Sequence, residues 1–234
     1  MHGEATVARP RGALIAWLVF VGIFALLNYA AQLSGTETPD DLAYRYSSSI
    51  AALIQYWIIF GVVIAIALVS RIELRSAFAI RRPTSWPRAI GIAILALLTI
   101  YLAAFVYERV LSVFGDWSPT EEQGLVPDGW DSSRAGAFVA FFLVVTLVAP
   151  AVEELTYRGL GLSLLAPYGP TLAILVTGIL FGAAHGLLIA LPILAVFGIV
   201  VGWLRVRTAS IYPPMLLHAT FNGTALLVSV SGVG

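Results

Sequence analysis

Apolar residues run through this chain in stretches too long for the interior of a water-soluble domain. The first stretch extends from about Gly12 to Leu33, the second from about Ile50 to Ser70 and the third from about Ala89 to Leu111. A helix needs about 20 mostly apolar residues to cross a bilayer, and each stretch reaches that length. Further apolar runs begin near Ala135, Thr171, Ile189 and Pro214. The last three are short and rich in Gly and Pro, which predicts helices that are tilted or sheltered inside a bundle. The pattern predicts an all-α, polytopic transmembrane helix bundle of about seven spans, within a range of six to eight, built as one integral-membrane domain over residues 1–234.

Composition reinforces the pattern. Of 234 residues, 59% are hydrophobic and 11% charged, against about 25% charged in a typical soluble domain. Mean hydropathy is +0.92. The solvent must be largely lipid. A formal net charge of zero gives no sign of a nucleic-acid partner. The absence of cysteine excludes disulfides, thiolate nucleophiles, zinc–thiolate sites and iron–sulfur clusters.

Basic residues of short loops orient the spans. Arg9 and Arg11 precede the first span, Arg71, Arg75, Arg81, Arg82 and Arg88 follow the second, and Arg205 and Arg207 follow the sixth. In a seven-span count these share one side. The loop from Ser112 to Arg134 falls on the other, with Asp116, Glu121, Glu122, Asp128 and Asp131. The expected topology is a cytoplasmic N-terminus and an external C-terminus in the plasma (inner) membrane. The first span reads as a retained anchor, because its apolar run is about twice that of a signal-peptide core and no A-x-A site follows. Trp117 and Trp130 read as interface anchors.

The informative residues are polar groups at membrane depth, where a charged side chain costs about 2.5–3.5 kcal/mol on insertion scales. Three places qualify. In "APAVEELTYRGL", residues 149–160, Glu153 and Glu154 point about 100° apart on a helix. Glu154 and Arg158, four apart with the acid first, can pair on one face. Glu153 then has no evident local partner. In "GILFGAAHG", Gly178, Gly182 and Gly186 recur every four residues as a close-approach face, and Phe181 and His185 share the adjacent face. In "LHATFNG", His218 and Asn222 stack on one helical face. Each place has a structural reading as well: an ion pair, an interhelical histidine and a polar clamp.

Depth decides whether the three can meet. If the fourth span continues past Arg158 until Pro167 and Gly169–Pro170 stop it, Glu153 lies roughly 18 Å from that end at about 1.5 Å per residue. By the same count His185 lies roughly 21 Å from the start of the fifth span, and His218 and Asn222 roughly 15–22 Å beyond Arg207. A shared level therefore requires a long, unbroken fourth helix.

One free carboxylate, two histidines and an asparagine at one depth suit hydrolysis. The carboxylate can act as general base on water, a histidine can hold that water and shuttle its proton, and a second histidine with an amide can donate to an oxyanion. The rival is a His₂Glu zinc set of Glu153, His185 and His218, although the contiguous H-E-x-x-H is absent. No G-x-S-G serine elbow is present, "GLSLL" around Ser163 not matching, and no aspartate pair lies in a span.

"EELTYR", "FGAAH" and "HATFN" resemble, in order, the E-E-x-x-x-R, F-x-x-x-H and H-x-x-x-N/D motifs of the CAAX prenyl protease and bacteriocin-processing (CPBP, or ABI) family of type II CAAX endopeptidases. The resemblance covers about residues 135–223, the expected catalytic core. "AIRRP" before the third span resembles a further family feature. The resemblance implies an intramembrane endopeptidase acting on membrane-associated or C-terminally prenylated substrates. It implies that Glu153 and His185 activate water, that His218 and Asn222 form the oxyanion hole, and that Glu154, Arg158 and Phe181 support the site. It favours a mechanism with no metal, zinc remaining the alternative. The expected partners are a membrane-associated peptide or protein and the bilayer, with no nucleic acid. A proton-coupled transporter would instead show matched inverted halves, and none is visible. A non-catalytic scaffold or immunity protein predicts decay of a motif residue, and all are intact.

Overall fold

The computed structural model describes residues 11–34, 41–115, 117–119, 122, 127 and 129–231. All regular structure among them is helical. Arg9 and the acidic positions Asp116, Glu121 and Asp128 lie outside the described residues.

Each apolar run of the sequence becomes a helix. The first two are α1, Arg11–Leu33, and α2, Tyr46–Val69. A single turn follows, α3, Leu74–Ala77. Then comes α4, Trp86–Phe114, longer at both ends than its apolar run. Ser85 caps its start by accepting the Arg88 N–H, Pro87 occupies the first turn, and Gly115 ends it.

The fourth run is one continuous helix, α5, Ser132–Tyr168. Asp131 caps it through the Ser133 N–H. Pro167 tightens its last turn, and Gly169, at φ 101°, turns the chain into α6, Pro170–Ala183. The condition for a shared depth is therefore met: α5 runs unbroken past Arg158. The remaining helices are α7, Leu191–Thr208, and α8, Tyr212–Ser231. Five of these helices, α1, α2, α4, α5 and α7, are long and apolar enough to cross a membrane, and the chain is an integral membrane protein. Arg205 and Arg207, expected after a span, instead sit inside the last turn of α7.

The helices sort into an outer and an inner set. Buried residues make up 17% of the apolar window in α1, α2 and α4, but 44% in α5 and 39% in α7. The motif-bearing segments are thus the interior of the bundle. Large apolar side chains such as Leu26, Trp57, Leu102 and Phe105 face outward, where lipid receives them.

Glycines set the inner spacing. A Cβ on Gly178 would lie 2.6 Å from the Ile199 nitrogen, and one on Gly198 would lie 2.5 Å from the Gly178 carbonyl oxygen. Gly182 meets the Ala195 nitrogen in the same way, at 2.8 Å. So α6 and α7 touch backbone to backbone. The third glycine of the series departs from the expected face. Gly186, at φ 71°, lies beyond the end of α6 and packs on the Asn28 backbone of α1.

Two stretches of α5 have wider, π-type turns: Val144–Val148 and Leu155–Gly161. Pro150 accounts for the first. It has no N–H to return to a carbonyl four or five residues back, and the Val145 carbonyl receives the Asn222 Nδ2 at 3.0 Å. The second holds Arg158 together with Gly159 and Gly161. Its Thr156 carbonyl receives the buried Trp17 indole N–H at 3.0 Å. Each widened turn thus has a side-chain donor from another helix.

Candidate active site

Neighbouring positions on α5 send the two glutamates into different surroundings. Glu154 and Arg158 are both fully buried, with Nη1 donating to Oε1 at 2.9 Å. Arg158 also donates through Nη2 to the Gly198 carbonyl at 3.0 Å, and its guanidinium lies 4.4 Å from the Phe181 ring centre. The glycine contact between α6 and α7 is what brings that carbonyl within reach. The expected Glu154–Arg158 pair is present.

The Glu153 side chain is 15% exposed and lines a cavity of about 290 Å³. His185, His218 and Asn222 line the same cavity. The structure therefore brings together all four residues singled out from the three motifs. Glu153 has no local partner, as its spacing predicts, but it has a distant one: the Tyr56 hydroxyl of α2 donates to its Oε1 at 2.6 Å.

His218 connects the two glutamates. Its Nδ1 is 2.9 Å from Glu154 Oε1, and its Nε2 is 3.6 Å from Glu153 Oε2. A carboxylate only accepts, so Nδ1 carries a proton. The second distance is too long for a hydrogen bond. It leaves Nε2 and Glu153 facing each other with no direct bond between them. Phe181 and Phe197 hold the ring edge-on, at 5.7 and 4.8 Å between centres.

His185 sits past the end of α6, not on the helix as its spacing from Phe181 predicts. The His185 and Gly186 N–H groups bond three residues back, to Gly182 and Ala183, and left-handed Gly186 ends the helix there. Contact with Phe181 survives this. The rings are 4.8 Å apart, and Nδ1 is 2.8 Å from the Phe181 carbonyl. A carbonyl cannot donate, so Nδ1–H must; in the neutral tautomer this leaves the lone pair on Nε2. The turn itself is tied down from outside. Asn28 Nδ2 donates to the Ala184 carbonyl at 2.7 Å, the Tyr107 hydroxyl to the Ile189 carbonyl at 2.7 Å, and Glu122 accepts the Leu188 and Ala190 N–H groups at 2.7 Å each.

Reading the sequence missed Asn28, Tyr56 and Glu122 as parts of this site. Asn28 and the pair Gln55–Tyr56 were visible as polar groups inside apolar runs, and that was their signal. Among the described residues no group of three or more His, Asp or Glu is arranged to hold a metal ion.

No curated protein and no solved structure matches the chain. One family model does, and it implies a protease. Residues 135–224, which span α5 to α8 and carry the three motifs that meet in the cavity, match the family of type II CAAX prenyl endopeptidases described as Rce1-like.

Proposed function

We propose that the chain is an intramembrane endopeptidase of the CAAX type, cleaving membrane-associated or C-terminally prenylated peptides with water activated by Glu153. The observation that carries this reading is the convergence of Glu153, His185, His218 and Asn222 on one cavity, with Glu153 open to it and Glu154 sealed away. In this mechanism Glu153 takes a proton from water as the oxygen attacks the scissile carbonyl. His185 Nε2, unprotonated at the start, orients that water, then receives the proton from Glu153 and passes it to the leaving amine. His218 acts here as the imidazolium, with Nδ1–H on Glu154 and Nε2–H donated to the oxyanion, beside the second N–H of the Asn222 amide. The Val145 and Glu154 contacts of these two residues aim their remaining donors. Losing one such donor costs about 10²–10³ in rate. The mechanism uses no metal.

The test is a peptidase assay on the purified full chain with a panel of prenylated and unprenylated membrane-anchored peptides. Wild type is compared with Glu153→Ala, His185→Ala and His218→Ala, with and without chelator. Activity should vanish in Glu153→Ala and survive chelation. Cleavage by Glu153→Ala would overturn the assignment of the base. Loss to chelator with recovery on zinc addition would favour the His₂Glu metal reading.

A further inference from the structure

At the basic end of the bundle one arginine is buried without an anion. Arg205, in the last turn of α7, is 6% exposed, and its Nε is enclosed with no hydrogen-bond partner among the described residues. Arg81, a second cation, is close enough to act on it. Carbonyls at the α7 C-terminus offset part of this, but no described carboxylate pairs with either group. A buried cation left unpaired is strongly destabilising, so the arrangement is unfinished as it stands.

The segments carrying the two arginines are fastened to each other. Arg81 Nε donates to the Ala209 carbonyl at 2.6 Å, the Ser210 hydroxyl donates to the Arg81 carbonyl at 2.5 Å, and the Ile211 N–H donates to the Ala79 carbonyl at 3.1 Å. Ala79 and Ala209 are both left-handed, at φ 47° and 50°, a conformation that disfavours any residue with a Cβ. The fold accepts this strain at two alanines where the Arg81 segment is fastened to the chain just beyond α7.

We propose that Arg205 and Arg81 form a binding site for the phosphate of an anionic phospholipid. Guanidinium binds phosphate with charge-assisted, often paired hydrogen bonds. A free phosphate offers the same chemistry, and two observations point to the lipid. First, Arg205 belongs to a helix long and apolar enough to cross a membrane, so its anion must lie at headgroup depth. Second, an apolar groove of about 200 Å³ between α4 and α8, lined by Trp86, Ile90, Ile94, Pro213 and Leu216, starts a few residues from Arg81 and Ser210 and can take an acyl chain. Arg82, Arg88 and Arg207 stand at the same end and add attraction for an anionic surface. This site is separate from the cavity around Glu153 and does not depend on its chemistry.

The test is the thermal transition of the delipidated full chain in neutral detergent, titrated with phosphatidylglycerol, phosphatidylcholine or inorganic phosphate. Phosphatidylglycerol at about 100 times its Kd should raise Tm by on the order of 5 °C, and the other two should not. Arg205→Met, which removes the charge and keeps an apolar stem, should unfold at or above the wild-type temperature without lipid and lose the shift. Arg81→Gln should reduce it. Arg109→Gln, near the opposite end of α4, should keep it. An undiminished shift in both Arg205→Met and Arg81→Gln would overturn the proposal. So would equal shifts with both lipids, or a full shift with inorganic phosphate alone. No shift with any ligand, the result if the chain supplies its own counter-ion, would also overturn it.

Discussion

Replacing either residue of the Glu153–Glu154 pair by glutamine removes one negative charge, yet the surroundings make the two losses different. Glu154 faces Arg158 and His218 in a region with no exposure, so Glu154→Gln leaves a buried guanidinium without its counter-ion. Losses of that kind run to about 3–5 kcal/mol. Glu153 borders the cavity and bonds the Tyr56 hydroxyl, which a glutamine carbonyl can still accept. The expected outcome is a large fall in Tm for Glu154→Gln. Glu153→Gln should keep a near-wild-type Tm and lose all peptidase activity. Thermal unfolding and the peptide assay, run on both proteins, separate the two roles.

At the scale of the element, the contact between α6 and α7 is the tightest constraint on the site. A methyl group on Gly198 would meet backbone atoms of Gly178, which cannot rotate away as a side chain can. Gly198→Ala should therefore cost at least the roughly 1–3 kcal/mol of an overpacked core. By displacing the carbonyl that Arg158 holds, it should also lower activity more than Gly202→Ala, where the nearest atom is 3.6 Å away. Urea unfolding and initial rates on the two variants check this.

Much at this scale was legible in the sequence. The stops at Pro167 and Gly169 gave the length of α5, and polar residues inside apolar runs gave the three motifs. The turn at Gly186 that takes His185 off the helix was not legible, because a glycine four residues after another reads equally as a packing face. Nor were the Tyr56 and Asn28 contacts, which join residues 97 and 156 apart in the chain. Helical periodicity says which face a residue occupies, not which helix stands opposite.

At the scale of the whole molecule, charge collects at the two ends of the bundle. Opposite the arginine-rich end, Asp41 and Asp131 clasp Arg134, with contacts of 2.7 and 2.6 Å, and Arg134 lies over the Tyr44 ring. Hydrogen bonds from the Ser133 hydroxyl and Arg134 hold the Asp131 carboxyl down at about 2, and those from Arg45 and Arg134 lower Asp41. A carboxyl depressed in the folded state stabilises it above the unfolded value, about 4. That contribution is lost as pH falls from about 4 toward 2. Wild type should thus lose part of its stability across this window. Asp131→Asn should start less stable at neutral pH and fall less on acidification, as thermal scans at stepped pH will show.

The bond from Trp17 to Thr156 carries a consequence for where the protein can be cut. Every motif residue and the entire family match lie after residue 134, which invites expression of that half alone. But the indole of α1 fills the hollow over Gly161 and satisfies a carbonyl in the widened turn that holds Arg158. Without α1 that turn would present bare backbone to lipid, which has nothing to offer it. The half that carries the motifs should therefore not fold as an autonomous unit, and a chimaera that exchanges the first helix with a relative should need an indole at the same position.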